Sequence, residues 1–206
     1  MIHTEKQHPK FERTLIIIKP DGIQRGLIGE ITKRYERTGL KLIAMKMMLP
    51  TSDLVEKHYT IDPEWKRLVG EKTIKSAQAK GHAPIHEDPA IAGDMILDIL
   101  KKYLTSGPVV AMVWQGMHAV EIVRKITGST EPLSSGVGTI RGDFVIDSYK
   151  TSNDDGRAVR NLVHASSSVK DAEDEINHWF KQEEVFKYAL VQEKILYDVN
   201  LDGIME

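Results

Sequence analysis

The chain has 206 residues, and its 28 Lys+Arg against 30 Asp+Glu leave a formal net charge of −2. Hydrophobic residues at 41% and charged residues at 28% describe a globular chain with material for a core, and the near-neutral charge argues against a dedicated nucleic-acid binder, whose phosphate contacts need a basic excess. The absence of cysteine excludes disulfides, thiolate metal sites and cysteine nucleophiles, and fits a reducing compartment such as the cytoplasm.

Residues 1–12 read as a polar, mobile tail; MIHTEKQHPK lacks the apolar core of a secretory signal. Arg13 to Lys19, with Leu15-Ile16-Ile17-Ile18, is a short and continuously apolar strand of the kind buried on both faces, broken by Pro20-Asp21-Gly22. Leu27, Ile28, Ile31 and Tyr35 recur at helical spacing, with Gly39 as the C-terminal cap. Leu40 to Leu49 returns to strand and stops at Pro50, after which Thr51, Ser52 and Asp53 offer capping oxygens for a short helix through Tyr59.

Residues 64–80 read as a helix, followed by a loop containing Gly81, Pro84 and His86. Asp88 as cap and Pro89 at the first helical position open a helix with an apolar line through Leu97, Leu100 and Leu104, ended by Gly107-Pro108. Pro108 to Trp114 is a buried strand whose apolar run is far too short to span a bilayer. Ala119 to Ile126 forms a helix ending at Gly128, Phe144 to Tyr149 a fourth strand, and Thr151 to Gly156 a polar loop. Ser168 caps a last helix through Ala172, Ile176 and Trp179. This order matches a ferredoxin-like β-α-β-β-α-β plan of the α+β (α/β) class, an antiparallel sheet with helices on one face, with an inserted helical segment and a C-terminal helical extension.

Three motifs invite a function and fail. Val69-Gly70-Glu71-Lys72-Thr73 resembles the tail of a phosphate-binding P-loop, but Glu71 stands where that loop needs the glycine before its lysine. Gly136-Val137-Gly138 with Gly142 has its third glycine one residue late for a dinucleotide loop, and reads as a flexible loop. His82 and His86 have the spacing of helical metal ligands, but Pro84 interrupts the helix.

What survives is a set of segments combining small residues, phosphate-type donors and a histidine. Ile18-Lys19-Pro20-Asp21-Gly22 places a lysine at the end of a buried strand. Gly138-Thr139-Ile140-Arg141-Gly142-Asp143 is preceded by Arg124 on a helix and Thr130 in a loop. Asn161-Leu162-Val163-His164-Ala165-Ser166-Ser167-Ser168 leads into a helix carrying Glu175. With Gln24-Arg25-Gly26, His58-Tyr59, Ser106-Gly107-Pro108-Val109-Val110-Ala111-Met112 and Trp179-Phe180, the series resembles the nucleoside diphosphate kinase family, in order from about Arg13 to Tyr197.

The resemblance implies transfer of the γ-phosphoryl of a nucleoside triphosphate to a ribo- or deoxyribonucleoside diphosphate, in two steps through a phosphohistidine. Carried over by motif, His164 is the nucleophile, and Lys19, Arg124, Thr130, Arg141 and Asn161 bind phosphates and sugar. Tyr59 helps position Lys19, Ser166 and Glu175 order the histidine, and Trp65 is the candidate aromatic of a loose clamp on the base. Mg²⁺ arrives on the nucleotide phosphates rather than in a cage of protein ligands. The family also implies a homo-oligomer, a homohexamer before a tetramer.

The chemistry of these residue types agrees. Phosphoryl transfer needs charge stabilisation and in-line positioning. Lysine offers a point charge and arginine a planar fork, and a neutral imidazole is a competent nucleophile once its other nitrogen is held. Two alternatives use the same residues: a histidine-phosphorylated signalling or phosphocarrier protein, and a non-catalytic nucleotide-binding module. Against the family pattern, 69–94 and 150–159 look inserted into a single domain spanning 13–206. Val137 stands where proline is common, and Ser167 where aspartate is.

Overall fold

The computed structural model describes residues 9–79, 81 and 83–204. Four strands, β1 (Arg13–Ile18), β2 (Lys41–Met48), β3 (Val109–Gln115) and β4 (Val163–Ala165), form one antiparallel sheet in the order β2-β3-β1-β4. Around it run α1 (Pro20–Gln24), α2 (Ile28–Glu36), α3 (Ser52–Tyr59), α4 (Trp65–Ala79), α5 (Pro89–Leu104) and α6 (Ala119–Thr127). Then follow α7 (Ile140–Phe144), α8 (Tyr149–Asp154), α9 (Val169–Trp179) and α10 (Glu193–Leu196). The ferredoxin-like order expected from the sequence is present.

Strand alternation sorts the core into two halves. Ile16 and Ile18 of β1 and Met112 and Trp114 of β3 pack with Ile31 and Tyr35 of α2 and Val123 of α6. Leu15, Ile17, Ala111 and Val113 point the other way, onto Ile176 and Trp179 of α9 and onto Phe180. Both faces are therefore covered, which corrects the expected one-sided arrangement; β1 needs apolar residues at successive positions because its two sides meet different helices.

Several terminators act as the sequence suggests. Thr51 Oγ1 accepts the Leu54 N–H, Asp88 Oδ1 accepts from Ala90 and Ile91, and Ser168 Oγ accepts from Asp171. Gly39, at φ +90°, ends the α2 turn in a conformation that side chains disfavour. The hairpin of α4 and α5 depends on two glycines: a Cβ at Gly93 would fall inside the Lys66 carbonyl, and one at Gly70 inside that of Pro89.

Four further expectations are corrected. Phe144–Tyr149 is not a strand: Phe144 ends α7, Ile146 is exposed, and β4 holds the place beside β1. Three residues of β4 are too few to show an alternation pattern. Thr151–Gly156 is largely helical, because Ser148 Oγ caps α8 by accepting the Thr151 N–H. The glycine segment before α7 is a bonded turn, with the Thr139 hydroxyl donating to the Gly136 carbonyl at 2.7 Å and Asp143 Oδ1 accepting the Gly138 N–H at 2.7 Å. Of the expected tail, residues 1–8 lie outside the described residues, and its last residue is docked: the Glu12 carbonyl accepts from Gly116 and its carboxylate from the Val120 N–H. Of the two histidines rejected as a metal pair, His82 lies outside the described residues, and His86 Nδ1 accepts the Asp88 N–H. No helix among the described residues is long and apolar enough to cross a membrane.

Candidate active site

The end of β1, the start of β4 and the facing side of α9 meet at one place. Ile17 pairs with His164 across the sheet. Val163 turns into the α2/α6 half of the core, so alternation sends His164 to the opposite side, toward α9. On α9 the inward positions are Ala172, Glu175, Ile176 and Trp179, a helical stripe that brings a carboxylate under the imidazole.

His164 Nε2 lies 3.0 Å from Glu175 Oε2. Burial raises the Glu175 pKa, but His164, His58 and the hydroxyl of Ser166 outweigh it and hold the carboxyl below its ordinary value. The ionised carboxylate only accepts, so Nε2 carries the proton and Nδ1 keeps its lone pair. Ser166 does not bond locally to His164. Its hydroxyl donates to the same Glu175 oxygen at 2.6 Å and accepts the Leu15 N–H of β1 at 3.1 Å, anchoring the carboxylate to the sheet.

The imidazole has a second neighbour. His58 of α3 stands edge-on to it, with ring centroids 4.4 Å apart and planes at 84°. Trp179 Nε1–H donates to His58 Nδ1 at 3.2 Å, so the His58 proton sits on Nε2, which meets no partner among the described residues. Burial first, and the neighbouring His164 second, hold the His58 pKa well below 6.5, so it is neutral. One ligating atom each of His58, His164 and Glu175 lies within 4.8 Å of the others. The carboxylate is already spent on His164 and Ser166, and His58 Nδ1 on Trp179. The trio is a hydrogen-bonded imidazole support, not a set of open oxygen ligands suited to Mg²⁺.

The cationic side is built around Asn161. Lys19 Nζ donates to Asn161 Oδ1 at 2.7 Å, and Asn161 Nδ2 donates to the Thr130 carbonyl at 2.9 Å. Lys19 is 6% exposed; burial, with Arg141 adding repulsion, lowers its pKa to about 7. The ring beneath its ammonium, 5.2 Å to the centroid, is that of Tyr103 on α5. Tyr59 packs instead on His58 at 4.9 Å and on Trp65 at 5.3 Å, so Trp65 and Tyr59 share one aromatic wall. Arg124, in the last turn of α6, reaches the Ser166 carbonyl at 3.5 Å.

Arg141 differs most from its sequence reading. Its Nε, Nη1 and Nη2 donate to the carbonyls of Asn161 (3.1 Å), Gly128 (2.9 Å) and Val163 (2.6 Å). Three of its five N–H groups therefore serve the backbone, leaving two for an anion. The Asn161 and Val163 carbonyls flank Leu162, a non-glycine residue at φ +64° whose turn closes by the Val163 N–H on the Asn161 carbonyl at 2.7 Å. Such a conformation costs about 1–3 kcal/mol and persists only where its surroundings over-determine it. Here they do: Asp21 Oδ2 accepts the Leu162 N–H at 3.1 Å, and the Leu162 carbonyl accepts the Lys19 N–H at 2.8 Å.

All ten residues expected from the sequence converge on this region. Those the sequence reading left without a role are His58, Asp21, Trp179 and Tyr103. The first three lie inside motifs already noted. Tyr103 lies three residues before Ser106-Gly107-Pro108, and only its position under Lys19 distinguishes it from an ordinary helix-end aromatic.

Comparison with known proteins gives a consistent result. The model of the family described as nucleoside diphosphate kinase matches residues 12–67 and 67–185, two stretches that meet at the start of α4. A nucleoside diphosphate kinase of Pyrobaculum aerophilum is 48% identical over 180 residues, covering 85% of this chain and 98% of that protein. The nucleoside diphosphate kinase B of Bos taurus is 43% identical over 177 residues, with 86% and 91% covered. Among solved structures, an NDP kinase from Pyrobaculum aerophilum superposes with a TM-score of 0.83 at 46% identity, covering 86% of this chain and all of that one. A transition-state mimic of the Borrelia burgdorferi nucleoside-diphosphate kinase with bound vanadate and ADP superposes with a TM-score of 0.74 at 36% identity, covering 90% and 96%.

Proposed function

The chain belongs to the nucleoside diphosphate kinase family and is an enzyme that moves the terminal phosphoryl of a nucleoside triphosphate to a nucleoside diphosphate, and from that premise we propose that the transfer passes through Nδ1 of His164. The observation that carries this reading is the chain from the Leu15 N–H through Ser166 and Glu175 to His164 Nε2. It fixes the tautomer, leaves the Nδ1 pair free, and supplies a buried counter-charge for the imidazolium-like ring that forms as phosphorus bonds to it.

In the first half-reaction the Nδ1–P bond forms as the bond from Pγ to the β–γ bridging oxygen breaks, and a nucleoside diphosphate leaves. In the second, the terminal oxygen of another nucleoside diphosphate attacks the phosphorus and Nδ1 leaves. Charge spreads over the transferring oxygens in both. Lys19, Arg124 and the two uncommitted N–H groups of Arg141 face that charge. Asn161 and Thr130 hold the lysine and the sugar side, while Trp65 and Tyr59 form an aromatic face for the base, a sequence-tolerant contact.

Mg²⁺ would be carried by the nucleotide phosphates rather than by protein ligands, because the protein groups there are mostly cations, and when bound it would neutralise phosphate charge. We further read residues 13–206 as one domain, with 69–94 and 150–159 as insertions. The protein is cytoplasmic and a homo-oligomer, a homohexamer before a tetramer. Met45 and Met47 on edge strand β2, with Leu49 just beyond it, are 45%, 58% and 64% exposed and support self-association; the mass in light scattering tests it.

Incubation with γ-labelled ATP should yield an acid-labile, base-stable phosphoenzyme that several nucleoside diphosphates discharge rapidly, and His164→Ala should abolish it. Label on His58, His118 or a serine would overturn the assignment. A phosphoenzyme inert to nucleoside diphosphates but active on a protein would favour a phosphocarrier.

A further inference from the structure

Lys19 is the cation most deeply enclosed in the proposed site, and its surroundings disfavour its charge. The groups facing its ammonium are Asp21 of α1, His58 of α3, Tyr103 of α5, Arg141 of α7 and Asn161 before β4. His58 is neutral, Asn161 supplies one carbonyl oxygen, and Arg141 repels. Asp21 attracts, but one of its carboxylate oxygens is turned to the Leu162 N–H. The remaining face of the ammonium rests on the Tyr103 ring. An ammonium over an aromatic face gains more when both are desolvated, because water no longer competes for the charge.

We propose that Tyr103 is a positioning residue for the reaction: the face of its ring holds the Lys19 ammonium protonated and aimed at the incoming phosphates. This rests on the reading of Lys19 as a phosphate-binding cation and adds a residue the family motifs did not single out. The ring is well placed for it. Tyr103 lies in the last turn of α5, where the helix runs into Ser106-Gly107-Pro108, and a Cβ at Gly107 would touch Pro20 at 3.4 Å, so that end of the helix is packed against the β1–α1 corner bearing Lys19. Its hydroxyl is buried beside the Asp21 carboxylate without a close hydrogen bond, and burial first and that charge second push its pKa up, so the hydroxyl stays protonated and neutral. Tyr103, together with Pro20 and Asp21, also lines a cavity of about 980 Å³ bounded by Arg157 and Arg160.

The test is graded fluorination of an isosteric ring. Phenylalanine, then its mono-, di- and trifluoro derivatives, are placed at position 103 of the full-length enzyme, and kcat/KM for ATP is followed against pH. Because kcat/KM reports the free enzyme, its alkaline limb includes loss of the Lys19 proton. Tyr103→Phe should keep the wild-type profile. Successive fluorines withdraw charge from the ring face, and the limb should move down stepwise, by about one pH unit at the trifluoro ring, with kcat at pH 6 within about twofold of wild type. The NMR titration of ¹³C-labelled lysine, with Lys19 assigned through Lys19→Met, should show the same shift without turnover. An unmoved limb across the series would overturn the inference, as would a Tyr103→Phe profile already displaced, which would assign the effect to the hydroxyl. If Lys19→Met itself retains near-wild-type kcat/KM, it is the reading of Lys19 that fails, and the two failures are thereby told apart.

Discussion

Replacing Arg141 by lysine keeps a positive charge and removes the fork. The guanidinium makes three charge-assisted donations to the carbonyls of Asn161, Gly128 and Val163. These acceptors diverge around a planar group, and an ammonium on a shorter reach meets about one of them. Two losses at about 1.5 kcal/mol each, the low end for charged donors, give a destabilisation of about 3 kcal/mol. At about 2–4 °C per kcal/mol for a chain of this size, the melting temperature should fall by about 6–12 °C at fixed protomer concentration. The loss falls on the turn that carries Leu162 at φ +64° and sets the aim of His164. Displacing the nucleophile by about 1 Å is enough to slow transfer by about 10²-fold, and both half-reactions should slow alike because the same Nδ1 serves both. Thermal melts by circular dichroism and single-turnover rates with ATP and with a nucleoside diphosphate measure the two effects. An unchanged melt with crippled transfer would show that Arg141 acts on phosphate alone. A lowered melt with unchanged rates would show that the turn does not aim the histidine.

Trp65→Leu should raise KM several-fold for purine and pyrimidine nucleotides alike with kcat retained, as a base-stacking wall requires; an effect on kcat alone would remove Trp65 from the base site. Gly93→Ala forces a methyl into the Lys66 carbonyl and should destabilise the α4/α5 hairpin by about 1–3 kcal/mol or more, while phosphoenzyme formation persists, since the nucleophile and the cations assigned to the phosphates all lie outside the hairpin, which contributes only Trp65 at the base wall and Tyr103 beneath Lys19. Abolished labelling in a folded variant would tie the hairpin to the chemistry. Asp147 accepts both Nη groups of Arg157 and the backbone N–H groups of Ser148 and Arg160, and these bonds outweigh its burial and hold its carboxyl below the ordinary value. A depressed folded-state pKa contributes stability above the unfolded value that is lost as pH falls through the folded one. Hydrogen-exchange protection of residues 148–160 should therefore fade on acidification, and Asp147→Asn should show the faded state at neutral pH; protection that ignores pH would exclude this anchor.

The sequence by itself determined whatever depends on near neighbours along the chain. The caps at Thr51, Asp88 and Ser168, the breaker after β1 and the two-sided burial of β1 follow from local hydrogen bonding and apolar runs, and each stands in the fold. The candidates that come together in one region were legible too, because they lie in compact motifs. Their partners were not. A pattern of three residues could not announce β4, and an apolar run at Phe144–Tyr149 looked more like a strand than Val163–Ala165 does. Which edge of the sheet was vacant is settled only when β1 and β3 have paired. Helix α9 covers the second face because Ile176 and Trp179 meet β1 and β3 residues distant in the chain, and only that docking puts Glu175 on His164 Nε2 rather than in solvent. Likewise a guanidinium serves phosphate or carbonyl equally well by its chemistry; the tight turn at Leu162 and the Gly128 carbonyl decide for carbonyl at three of the five donors. The Tyr103 ring meets Lys19 across 84 positions of sequence, and no periodicity along the chain encodes a contact of that kind.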